Sequence, residues 1–210
     1  LLDYFNNKIT ASLSDITISG DLDINKIKPL FEKYLPLNKG IKPLFEDKLP
    51  VIRNKLTDYE YFDNESMETL LGFRTENILH EDDRPLDVLV GILTGGRTGS
   101  LIKKLRYEKG LVYSVRSRNE SSFNFGSIYI NCPISKDKLQ EVLDTICLEL
   151  RRLSEKGPTP EELQLVKNRL LKSINIRMQT SEDWVWFHYY QNLFFPKDIW
   201  TIEDYLSSYE

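Results

Sequence analysis

Apolar residues recur at three- and four-residue spacing over two long stretches in the second half of the chain. Leu139, Val142, Leu143, Ile146, Leu150 and Leu153 trace one stripe, which predicts a helix over residues 135–156 ended by Gly157. Thr159, Pro160 and Glu162 then provide an N-cap, a proline at the first helical position and a Glu at the third. Such a capping box is worth about 1 kcal/mol. Leu163, Val166, Leu170 and Ile174 carry this next helix towards Met178, and after a reset at Thr180 and Ser181 an aromatic helix with Trp184, Phe187, Tyr190 and Phe194 runs to Pro196. Upstream, Pro85 opens a helix with Leu86, Leu89, Val90 and Leu93 on one face.

Alternating patterns predict strands at residues 15–21, 67–75, 111–117 and 126–131, the last pairing back on 111–117 across a polar connection at 116–124. Residues 1–8 read as the tail of a helix. Asp23 or Asn25 caps another that carries Ile27, Leu30, Phe31 and Tyr34, in which Pro29 is tolerable only within the first turn. Gly40 and Pro43 break any period, so residues 36–50 read as a linker; the hexapeptide at 27–32 recurs at 41–46 but fits no repeat architecture. This order of elements predicts an α+β fold, an antiparallel sheet with long helices packed on one face. The expected division is 1–46 and 47–210.

Between the helix from Pro85 and the strand at 111–117 lies the stretch richest in candidate chemistry. Gly95, Gly96 and Gly99 interrupt the apolar pattern, and Leu101, Ile102 and Leu105 then share one face of a short basic helix with Lys103, Lys104 and Arg106 on its flank. Gly110 ends it as a C′ glycine. The glycine turn has neither a Walker lysine nor the spacing of a dinucleotide loop, and reads as a helix-to-helix turn needing positive φ. Arg106 and Tyr113 stand seven residues apart; spacing alone fits a solvated Arg and a packed Tyr as well as a functional pair.

Charge and metal-binding residues narrow the options. A formal net charge of −4 disfavours a nucleic-acid groove, and no apolar run reaches the roughly 20 residues of a membrane span. Cys132 and Cys147 read as buried thiols in a reducing, cytoplasmic compartment. His80 and His188 are the only histidines, and neither belongs to a His-x-x-Glu-His helix, so no metal site is expected in this chain. His188, among Trp184, Trp186, Phe187, Tyr189 and Tyr190, reads as a packing residue. A first residue other than Met and a last one in mid-pattern lead us to expect a piece of a longer protein.

The string Leu105-Arg106-Tyr107-Glu108-Lys109-Gly110-Leu111-Val112-Tyr113-Ser114, after a helix ending in Gly-Gly, resembles the second, non-zinc half of the pitrilysin/insulinase family of zinc metallopeptidases, which includes the mitochondrial processing peptidases. The resemblance implies that Arg106 and Tyr113 reach across a closed chamber to the peptide substrate. It also implies that the turn of Gly95, Gly96 and Gly99 faces that chamber, and that residues 1–46 end the preceding half. Zinc is then expected in a complementary half, in the same polypeptide or a partner subunit, with a dimer possible. The implied function is to grip unfolded peptide in a zinc-dependent endopeptidase, without catalysis by this chain alone. The alternative is an inactive homologue serving as a peptide-binding or structural partner subunit.

Overall fold

The computed structural model describes residues 1–35, 37–40, 57–61, 63 and 67–209. Most of the linker expected at 36–50, the division near residue 46 and the second hexapeptide copy lie outside the described residues. In chain order the elements are α1 (Leu2–Lys8), α2 (Ile24–Tyr34), β1 (Met67–Thr75), α3 (Asp83–Thr94), β2 (Arg116–Ser121), β3 (Gly126–Ile134), α4 (Leu139–Lys156), α5 (Pro160–Arg177), α6 (Ser181–Phe194) and α7 (Ile202–Ser207). A π-helical segment, Ile102–Glu108, stands between α3 and β2. The chain forms two compact units, Leu1–Lys48 with Ile174–Thr201 and Leu49–Ser173 with Ile202–Glu210. No helix among the described residues is long and apolar enough to cross a membrane.

In the second unit the three strands form an antiparallel sheet in the order β1-β3-β2. Along β3 every second residue is buried, so Ile128, Ile130, Cys132 and Ile134 point to one face while Tyr129 and Asn131 point to the other. Register places Leu71 opposite Ile130 and Met67 opposite Ile134 on the inner face. The outer face keeps Leu70 largely exposed. Val142 and Ile146 of α4, Leu93 of α3 and Leu105 of the π-helical segment close over the inner face as one core. The fold is thus the expected antiparallel sheet with helices on one face. Cys132 lies in this core, where burial pushes its thiol up to about 11.

The hairpin differs from the expected one. Residues 111–115 form no strand, and the strand that pairs with β3 is Arg116–Ser121, most of which had read as connection. Its inner positions are Ser117, Asn119 and Ser121, which bond to α3 instead of packing as hydrophobes. Ser117 N–H donates to Thr94 Oγ1 at 2.9 Å, Asn119 Nδ2 to Asp83 and Asp87 Oδ1 at 3.1 and 3.2 Å, and Ser121 Oγ to Asp83 Oδ1 at 2.7 Å. The start of α3 is tied further by Arg84, which lies over the Tyr205 ring at 4.6 Å, and by Tyr209, whose hydroxyl donates to Asp87 at 3.0 Å. Burial pushes the Asp87 carboxyl up, against the hydrogen bonds that lower it.

Helix α4 keeps the predicted apolar stripe, and α5 starts at the predicted box: Glu162 N–H donates to Thr159 Oγ1 at 3.1 Å and Thr159 N–H to Glu162 Oε2 at 2.9 Å. Cys147, expected to be buried, is exposed on α4, because Val142, Ile146 and Glu149 occupy the inward positions around it.

In the first unit, Asp23 caps α2 by accepting from Asn25 N–H at 3.0 Å. The cap places Pro29 at the sixth helical position, beyond the first turn where it was expected, and there it removes one backbone bond. Residues 15–21 are not a strand, since no ladder partner exists for them among the described residues. α6 begins at a capping box of Thr180 and Asp183, and His188 stacks on Trp184 with centroids 5.8 Å apart.

Candidate functional site

The site is built where α3 ends. Gly95 N–H bonds to Gly91 O at 2.9 Å, and Gly96 turns the chain with φ +61°. Arg169 reaches in from α5 and donates from Nη2 to Gly91 O at 3.0 Å, and a Cβ on Gly95 would stand 1.5 Å from that nitrogen. A Cβ on Gly99 would lie 2.7 Å from Thr94 Cα and 2.8 Å from Leu93 O. These neighbours are backbone atoms of residues 93–95, which cannot turn aside as a side chain would, so Gly99→Ala is expected to cost about 1–3 kcal/mol, read as a lower urea midpoint at unchanged slope. Burial in this turn lowers the pKa of Arg169, which no carboxylate among the described residues offsets.

The π-helical segment follows. Its wide turn closes through Lys109 N–H to Lys104 O at 3.2 Å, and Gly110, with φ +61°, lets Leu111 N–H return to Leu105 O at 2.8 Å. Leu105 is buried and Arg106 faces outward. Beyond the turn, Leu111, Val112 and Val115 anchor an irregular stretch in the core, which pushes Tyr113 out to 80% exposure. Tyr113 is therefore on a loop rather than the expected strand.

Even so, the two candidate residues meet. The Arg106 guanidinium lies over the Tyr113 ring at 4.8 Å and within 5.6 Å of the Tyr107 ring. An open cavity of about 370 Å3 adjoins them, lined by residues that include Gly96, Arg97, Ile102, Arg106, Tyr107 and Arg116. Gly96 shares this lining with Arg106, while Gly95 and Gly99 shape the turn behind it.

Sequence reasoning missed what holds the segment in place. Lys104 reaches Glu149 on α4, a residue with no exposed surface, and Arg152 binds the same carboxylate through Nη2 at 2.8 Å and Nε at 3.1 Å. Arg152 also reaches Glu162 of the α5 capping box at 2.9 Å. Burial alone would push the Glu149 carboxyl up, but the bonds from Arg152 and Lys104 outweigh it and bring it down to about 2. Lys109 adds contacts to Glu141 at 3.2 Å and Thr145 at 3.0 Å. The available signal was Glu149 itself, a charge on the stripe of Ile146, Leu150 and Leu153.

A metal does not fit these residues. Among the described residues no three His, Cys, Asp or Glu side chains gather as ligands. His80 is engaged by the Asp82 N–H at 3.2 Å and His188 by its ring stack.

A family model described as the peptidase M16 inactive domain matches residues 1–170. The uncharacterized zinc protease YmxG of Bacillus subtilis is 26% identical over 186 residues, which are 86% of this chain and 44% of that protein. The chain thus spans less than half of that relative. The structure of a peptidase M16 inactive domain from Pseudomonas fluorescens superposes with a TM-score of 0.62 at 22% identity, over 71% of this chain and 36% of that one. A chain of Complex III2 from Candida albicans superposes with a TM-score of 0.77 at 14% identity, over 99% of this chain and 51% of its own. The structural likenesses establish the shared fold. Matched by the family model over most of its length, the chain belongs to the peptidase M16 inactive-domain family.

Proposed function

We propose that this chain is the substrate-gripping, non-zinc half of a zinc-dependent endopeptidase. The observation that carries the reading is the Arg106 guanidinium stacked 4.8 Å over the exposed Tyr113 ring. Stacking holds the guanidinium, and the phenol's hydroxyl stays free to turn towards a ligand. Both are donors suited to a peptide carbonyl, and a carbonyl that gains negative charge under attack is stabilised more strongly than the resting one. They can also hold an extended peptide backbone. Zinc and the general base belong to a complementary half, supplied by the same polypeptide or by a partner subunit, and residues 1–46 are the end of that preceding half. Membership of an inactive-domain family and likeness to a named zinc protease support this division of labour. We place the protein in the cytoplasm.

The test compares the complete gene product with the 210-residue chain for zinc content and hydrolysis of unfolded peptide. About one zinc per chain and activity in the complete product alone is the expected result. Activity of the 210-residue chain by itself would overturn the reading. A second reading, a non-catalytic structural or peptide-binding subunit, is favoured by the likeness over 99% of the chain to a component of Complex III2; absence of zinc and activity from the complete product would select it.

A further inference from the structure

The cavity beside Arg106 and Tyr113 carries more positive charge than gripping a peptide backbone requires. Arg97 from the glycine turn, Arg106 from the π-helical segment and Arg116 from the first position of β2 line it, and no Asp or Glu does. None of these guanidiniums forms an ion pair with a described residue. Neighbouring cations behave differently: Lys104, Lys109 and Arg152 bind carboxylates, and Arg169 binds a backbone carbonyl. The chain as a whole has 32 acidic against 28 basic residues, so this is a local inversion of its charge. Like charges around one cavity repel, and an anion entering it relieves that repulsion.

We propose that this cavity is a subsite for a carboxylate of the bound peptide, which makes the chain selective for acidic peptides. The proposal rests on the peptide-gripping reading above. Guanidinium forks match the planar carboxylate, and the Tyr107 and Tyr113 rings hold one fork in place beside the cavity. Arg97 and Arg116 set the preference; Arg106 serves both backbone and subsite. The carboxylate comes either from an Asp or Glu side chain or from the peptide's C-terminus.

The experiment measures anisotropy of three rhodamine-labelled peptides titrated with the 210-residue chain in moderate salt. One has a central Glu and an amidated end, one has Gln in its place with the same amide, and one has Gln and a free C-terminus. The Glu peptide is expected to bind about tenfold tighter than the amidated Gln peptide, the difference a charge-assisted bond makes. A gain for the free-acid Gln peptide alone would equally support the subsite and assign it to the C-terminal carboxylate. The double variant Arg97→Gln, Arg116→Gln, with an unchanged thermal midpoint as its folding control, is expected to bind all three alike. Equal binding of the three by the wild-type chain, or a preference that survives in the double variant, overturns the acidic selectivity and leaves peptide gripping standing. No binding of any peptide overturns both.

Discussion

Glu149→Gln is expected to lower the unfolding free energy by about 3 kcal/mol at neutral pH, the low end for breaking a buried ion pair. The low end applies because Lys104 and Arg152 keep 36% and 27% of their side chains in water. Linkage leads to the same size by another route. The folded Glu149 carboxyl, at about 2, lies below its ordinary 4.5, so its charge stabilises the fold above the unfolded pKa. That contribution, again about 3 kcal/mol, is lost as pH falls from about 4.5 through about 2. Urea unfolding at pH 7 and pH 3 checks both claims. The gap between wild type and variant should shrink by half or more at pH 3. A gap of the same size at both pH values would mean that packing, and not charge, was lost. Because the Lys104 contact holds the segment that carries Arg106, the variant should also loosen the stack on Tyr113.

Under the proposed function, Tyr113→Phe in the complete protein supplied with zinc is expected to lower peptide turnover by about a hundredfold with little change in KM, as removal of one donor to a developing oxyanion does. Phenylalanine keeps the ring under the Arg106 guanidinium, so only the hydroxyl is lost. At 80% exposure the position contributes little to folding, and the urea midpoint should stay within error. Unchanged kinetics would remove Tyr113 from the mechanism. A rise in KM at constant turnover would assign it to ground-state binding instead.

The sequence was legible wherever apolar periodicity and local caps agreed. β1 covers Met67–Thr75 as predicted, and the Thr159–Glu162 box starts α5 because those bonds lie within four residues of one another. Legibility failed where a polar group replaces a hydrophobe in the core pattern. The inner positions of β2 are Ser117, Asn119 and Ser121, and their partners on α3 lie at least 23 residues away, so no local period marks them. The same stretch misled in the other direction at 111–115, where buried side chains fall on Leu111, Val112 and Val115, a spacing that no strand produces. Arg106 and Tyr113 were legible as a pair through their resemblance to a known motif, whereas the ring-over-guanidinium contact needed the loop geometry. Arg97 and Arg116 carried no motif, and only the fold brings them to one cavity.

The π-helical segment makes the direction of Arg106 depend on chain length as well as on residue type. A wide turn accommodates one residue more than an α-helical turn over the same rise. Deleting a single residue near Lys103 would be absorbed as the wide turn closes to the ordinary period, leaving Arg106 on the side of the axis that faces Tyr113. An insertion finds no such reserve and would swing Arg106 by roughly 100° about the axis, away from Tyr113. Residue swaps on the exposed flank at Lys103 leave this direction untouched. The geometry of the pair therefore tolerates the loss of one residue between Gly99 and Gly110 but not the gain of one.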